Sequence, residues 1–179
     1  MDAASQPLPE IVVPATLFGD LRTALETEVG PLAAVHALHA AGYAAGAAAA
    51  ATLKASPDED MLALPREVFW DRLSTFFGRR GWGGMAHEDV HEAIALLTSP
   101  DWAEGAGPGG EEASCSYSAG FLSGLLSSAA GGPIAVLEVR CRGRGDEACS
   151  FAFGNAAAIH ELYGKLLGGA DVAGALDSL

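Results

Sequence analysis

Cysteine is scarce in this chain, and cations are scarcer than anions. Three cysteines among 179 residues cannot pair off into a disulfide scaffold. Ten lysines and arginines against 23 acidic residues leave a net charge of −13. That balance excludes direct tracking of a nucleic-acid backbone and opposes an anionic membrane surface. Only 18% of residues are charged and half are apolar, so the chain is not disordered as a whole. The opening MDAASQPLPEIVVPA lacks a basic stretch followed by a long apolar run, so no secretory signal is read there and cytoplasmic residence is expected. There is no dinucleotide-binding glycine fingerprint and no nucleophile elbow. The glycine-rich GPGGEE is acidic and would repel phosphate. The uncharged run Leu32 to Leu53 is mostly alanine, with His36, His39, Gly42, Tyr43 and Gly46 in it. It reads as a buried helix, not a membrane span.

What is present predicts one α+β domain, helices packed on a small antiparallel sheet. Residues 1–15 read as an extended leader carrying Pro7, Pro9 and Pro14, residues 16–168 as the domain, and residues 169–179 as a flexible acidic tail. Helices are expected over Thr16 to Val29, with Leu17, Leu21 and Leu25 on one stripe, and again from Gly30-Pro31. In that second helix Gly42 and Gly46 form a notch for the close approach of another backbone. Ser56 to Asp60 is a polar break, and a third helix from Pro65 sets Val68, Phe69, Leu73, Phe76 and Phe77 at helical spacing. Met85 to Thr98 reads as two short strands meeting near Asp89-Val90-His91, with a short helix as the alternative there, and Glu104 to Glu112 as a loop. A fourth helix is expected from about Ser114 to Ala130, then a hairpin from Ile134 to Gly154. Asn155 would cap a last helix with Ile159, Leu162, Tyr163, Leu166 and Leu167 turned inward.

Cys115, Glu138, Cys141 and Cys149 are spaced like a metal site. Three thiolates and a carboxylate make a closed tetrahedral set, which is more often structural than catalytic. Alternation puts Ala135, Leu137, Val139 and Cys141 on one face with Cys149, Phe151 and Phe153, Val139 facing Cys149. Glu138 then falls on the wrong face unless the strand bulges at Val139-Arg140. Arg140, Arg142 and Arg144 stand near enough in sequence to offset the charge of the set. The residues alone leave two other readings open: three buried core thiols, or a Cys141–Cys149 disulfide. Two further groups, His36 with His39 and His87 with His91 around Asp89, read more readily as packing or polar-edge residues than as metal ligands.

The stretch from Cys115 through Gly120-Phe121-Leu122-Ser123-Gly124, followed by Glu138, Cys141, Gly145, Cys149 and Phe151, resembles the signature of the 4-vinyl reductase domain family. The regions around Gly42-Tyr43, Phe69-Trp70, Phe76-Phe77 and Trp82 resemble it too. The resemblance implies a fold related to the TRAPP vesicle-tethering subunits, often homodimeric, with zinc on Cys115, Glu138, Cys141 and Cys149. It implies a small hydrophobic ligand in a buried pocket beside the zinc, as in the input domains of phenol- and xylene-responsive activators, with signalling through a protein partner. Phe69, Phe76, Trp82, Leu96, Trp102 and Phe121 are the candidate pocket residues, Leu96 falling near the position where the phenol sensors carry a tryptophan. No ATPase or DNA-binding segment is read after the domain in this sequence. The same resemblance allows an accessory factor or enzyme of tetrapyrrole and bacteriochlorophyll metabolism, or an adaptor without a ligand.

Overall fold

In the computed structural model, residues 10–54, 59–106, 110 and 114–179 are described. The elements run α1 (Thr16–Val29), α2 (Pro31–Ala49), α3 (Arg66–Arg79), β1 (Ala86–His91), β2 (Ile94–Ser99), α4 (Ser116–Ala130), β3 (Ala135–Arg140), β4 (Cys149–Gly154), α5 (Ala156–Leu167) and α6 (Val172–Asp177), with short 3₁₀ turns at Ala50–Leu53, Met61–Ala63, Ala103–Ala106 and Arg142–Arg144. The α+β expectation holds. Most of the expected leader, residues 1–9, lies outside the described residues, as do residues 56–58 of the Ser56 to Asp60 break and most of the loop after Ala106. No helix among the described residues is long and apolar enough to cross a membrane.

The four strands form one antiparallel sheet in the order β1-β2-β4-β3. Each of its faces is buried against helices. One face, with Leu97, Val136, Phe151 and Phe153, packs into the main core with α3 and α4. The other, with Ile94, Leu96, Leu137, Val139 and Ala152, is covered by Ile159 and Leu162 of α5 and Leu176 of α6.

The second helix shows why its glycines are there. α2 and α4 cross with backbones in contact: a Cβ on Gly42 would fall onto the carbonyl oxygen of Tyr117, and one on Gly46 onto that of Phe121. From the other side, a Cβ on Gly120 would meet His39 O and one on Gly124 would meet Tyr43 O. Two glycine pairs, each four apart on its helix, therefore interlock, and only residues without a side chain permit that spacing. The remainder of α4 is mostly Ser, Ala, Leu and Phe, and nearly every position from Ser116 to Ser127 is buried. Ser123 and Ser127 hydroxyls bond to Ile134, which ties the far end of α4 to the entrance of β3.

Three local expectations are corrected. The β1–β2 turn falls at Glu92-Ala93, two residues beyond the expected place, because the charged strand AHEDVH continues to pair with β2 as far as His91. Tyr163 and Leu167 of α5 are 45% and 70% exposed instead of inward, whereas Ile159, Leu162 and the half-buried Leu166 pack on the sheet side as expected. The segment expected as a tail contains α6, capped by Asp171 at Gly174 N and seated on the sheet through Ala175 and Leu176.

Candidate metal centre

Three elements bring the cysteine–glutamate group together. Cys115 is the N-cap residue of α4, Glu138 lies on β3, Cys141 follows β3, and Cys149 opens β4. The bulge expected in β3 is present: Glu138 pairs with Phe151 and Arg140 with Ser150, leaving Val139 as the extra residue. It restores phase between Glu138 and Cys141, so both reach the face that carries Cys149. The parity expected for the strand is corrected by the same register. Ala135, Leu137 and Val139 look to the α5–α6 side, and Val136 and Glu138 share the face of Phe151 and Phe153.

The four ligand atoms lie within 4.8 Å of one another. Cys115 Sγ is 3.8 Å from both Cys141 Sγ and Cys149 Sγ. A tetrahedral ion with metal–sulfur bonds of about 2.3 Å sets its sulfurs about 3.8 Å apart. All three cysteines are buried and free of disulfide. Glu138 Oε2 accepts from Cys115 N–H at 2.9 Å and stands 3.7 Å from Arg144 Nη1, whereas Oε1 is buried with no hydrogen-bond partner among the described residues. An orphaned carboxylate oxygen beside three sulfurs is the position a cation fills. Burial pushes the Glu138 carboxyl up to about 8, with Cys141 adding to the rise. Bonds from Cys115 and Cys141 draw the Cys149 thiol down to about 4, while the same sulfur contacts push Cys115 far up. Without a cation the set cannot carry all its negative charge; the donor set fits a soft divalent ion.

Sequence reasoning missed the strap that closes the centre. In the 3₁₀ turn Ala103–Ala106, a Cβ on Gly105 would come within 2.5 Å of Cys149 Sγ, so glycine lets this backbone lie against the sulfurs. Its neighbour Glu104 accepts from Tyr117 N–H at 3.1 Å, from Ser118 N–H at 2.7 Å and from the Ser118 hydroxyl. Cys115 makes no side-chain cap for α4, so Glu104 supplies from outside the acceptors that an N-cap would provide. Burial lifts its carboxyl to about 7. The signal available in the sequence was a helix whose N-cap residue has been given over to another task. Of the three expected arginines, Arg144 reaches Glu138 and Arg142 contributes its backbone N–H to Cys149 Sγ at 3.4 Å. Arg140 is exposed.

The candidate pocket residues divide into three places. Phe76, Trp82, Trp102 and Phe121 join Phe77 in one aromatic cluster with ring centroids 5.0–6.4 Å apart, and Trp102 Nε1 donates to Ser118 Oγ at 2.8 Å. Leu96 is on the opposite face of the sheet, against α5, because the register pairs it with Ala152; its neighbour Leu97 faces the aromatics. Phe69 lines an apolar groove of about 310 Å³ with Trp70, Leu126, Ala129, Ile134 and Phe153. Leu126 is eleven residues along α4 from Cys115, about 16 Å at helical rise, so this groove and the metal centre sit toward opposite ends of one helix. His36 is exposed and His39 half-buried on α2. His87 stacks on Trp70 with centroids 4.0 Å apart, and His91 Nδ1 accepts from Ala93 N–H.

A search of curated proteins finds no match. The family model of the 4-vinyl reductase domain matches residues 103–155. Among solved structures, the chain is similar to the phenol-responsive sensory domain of the transcription activator PoxR with phenol, at 17% identity over 81% of this chain and 76% of that one, with a TM-score of 0.64. It is similar to a vinyl-4-reductase family protein from Methanocaldococcus jannaschii, at 16% identity over 80% and 82%, TM-score 0.54. A trafficking protein particle complex subunit 3 from Naegleria fowleri, covalently bound to palmitic acid, matches at 12% identity over 78% and 91%, TM-score 0.60. The 4-vinyl reductase resemblance read from the cysteine and glycine spacing is thus carried by residues 103–155, the segment that holds all four side chains that could bind a metal, on the fold these three structures share.

Proposed function

We propose that this chain is a zinc-stabilised binding domain for a small hydrophobic molecule, acting through a protein partner and not by catalysis. The observation that carries the reading is the groove walled by Phe69, Trp70, Leu126, Ile134 and Phe153, an apolar concavity opening from the main core. Its volume of about 310 Å³ falls at the small end of ligand sites. The fold is shared with a sensory domain solved with phenol and with a subunit carrying palmitic acid, so this architecture accommodates apolar guests in its relatives.

Cys115, Glu138, Cys141 and Cys149 would hold the zinc ion, whose contribution is a cross-link between the tip of α4 and the β3–β4 hairpin. The helix so fixed also supplies Leu126 and Ala129 to the groove. Three free thiols suit a reducing cytoplasm. A homodimer would cover α1 and the start of α2, where α1 buries no residue and Leu17, Leu21, Val29 and Leu32 are exposed.

The test uses the neutral apolar dye N-phenyl-1-naphthylamine with the zinc-loaded chain. Saturable fluorescence gain near one dye per chain is expected, and Ala129→Trp, which fills the groove from α4, should abolish it. No saturable binding, or binding indifferent to Ala129→Trp, contradicts the assignment.

A further inference from the structure

The groove is apolar except where α3 enters it. Arg66 and Trp70 stand four residues apart on α3, hence on one helical face, and both line the groove; its other lining side chains, from Met61 to Phe153, are all apolar. Both of these residues can only donate hydrogen bonds. The Trp70 indole N–H is buried and has no partner among the described residues, and such a group in an interior calls for an acceptor. Arg66 gives its Nη2 to Asp89 and lies 3.4 Å from His87 Nε2, while Nη1 and Nε make no bond among the described residues. A guanidinium offers five N–H groups, so an ion pair with Asp89 leaves donors for a second carboxylate.

We propose that the groove selects a compact apolar acid, an aromatic or short-chain aliphatic carboxylate. Its hydrocarbon body lies among Phe69, Leu126 and Phe153, and its carboxylate meets Arg66 and the Trp70 N–H. Two donors and no acceptor among the lining side chains match a head group that only accepts. A neutral hydroxyl in the same place would leave its own proton without a partner on the wall. The chain's charge of −13 repels anions at long range, so the selection comes from contact with Arg66 and not from steering. This inference rests on the groove being the ligand site.

The experiment is calorimetric titration of the zinc-loaded chain with benzoate and octanoate, each paired with its matched alcohol, benzyl alcohol and octanol. Each acid is expected to bind about tenfold or more tighter than its alcohol, the margin of a charge-assisted contact. Arg66→Gln and Trp70→Phe should each remove most of that margin, weakening the acid far more than its matched alcohol. Arg66 is more than half exposed, so its variant tests the contact without endangering the fold. Alcohols that bind as well as acids, or an acid preference that survives Arg66→Gln, overturn the head-group inference and leave the groove as a ligand site. Failure of all four compounds, together with absence of dye binding, overturns the groove reading and this inference with it.

Discussion

Replacing one glycine by alanine should have opposite effects in two helices of this chain. Within a helix the exchange is intrinsically favourable, because alanine loses less backbone freedom on folding, by roughly 0.5–1 kcal/mol. Gly164 in α5 has nothing within 4 Å of the position its Cβ would take, so Gly164→Ala should realise that gain. Gly46 in α2 has the Phe121 carbonyl oxygen where its Cβ would sit, with Leu125 N at 3.0 Å. Neither is the tip of a side chain that can swing aside; both belong to the backbone of α4. The helices must part, and overpacking of this kind costs about 1–3 kcal/mol, with a backbone target at the upper end. Net of the helical gain, Gly46→Ala should destabilise by about 2 kcal/mol. At this chain length each kcal/mol moves the melting temperature by about 2–4 °C. Differential scanning calorimetry at fixed zinc should therefore place Gly164→Ala up to about 4 °C above the parent and Gly46→Ala about 4–8 °C below it. A Gly46→Ala melting temperature equal to or above the parent's would refute the interlocked crossing.

Two other perturbations probe the metal centre and its strap. Burial raises the Glu104 carboxyl from the usual 4.5 to about 7, so the folded chain holds this proton more tightly than the unfolded one. Its contribution to stability is full below pH 4.5 and is lost as the pH rises through about 7. Glu104→Gln, neutral throughout, keeps an acceptor oxygen for the α4 tip and should flatten that decline; parallel stability–pH curves for variant and parent would contradict the assignment. Cys141→Ser should lose zinc and melting temperature together, since metal affinity is part of the folding free energy. With free zinc a thousandfold above its Kd, linkage contributes about 4 kcal/mol, or roughly 10 °C here, and a metal-free variant that melts with the parent would sink the structural role.

How far the residues alone determined this structure depends on the range of the interaction involved. The α1 boundaries, the Asn155 cap and the β3 bulge were readable because each follows from neighbours within a few positions. The glycine notch on α2 was readable as a notch; its partner, the matching pair Gly120 and Gly124, required the tertiary crossing. Strand parity failed for Ala135, Leu137 and Val139 because both faces of this sheet are buried, so hydrophobic alternation does not distinguish them. Leu96, named from its place near the sensors' tryptophan, lies one residue from Leu97 on a strand whose two sides are equally apolar, so pattern alone does not say which of the two faces the aromatics. α6 was missed because Val172 to Asp177 is short and gains its order from Ala175 and Leu176 docking beneath α5. Glu104 and Gly105 looked like the start of a flexible acidic loop, and only proximity to the α4 tip and the sulfurs reveals their part.

The claim that most of this account depends on is that one divalent ion joins α4 to the hairpin through Cys115, Glu138, Cys141 and Cys149. Inductively coupled plasma mass spectrometry on the intact chain, purified without chelator and desalted, tests it directly. One zinc per chain is expected, and one-half or less in Glu138→Ala because the fourth ligand is gone. Protein that is folded, monodisperse and free of stoichiometric metal would contradict it, and the three buried thiols would then be ordinary core residues.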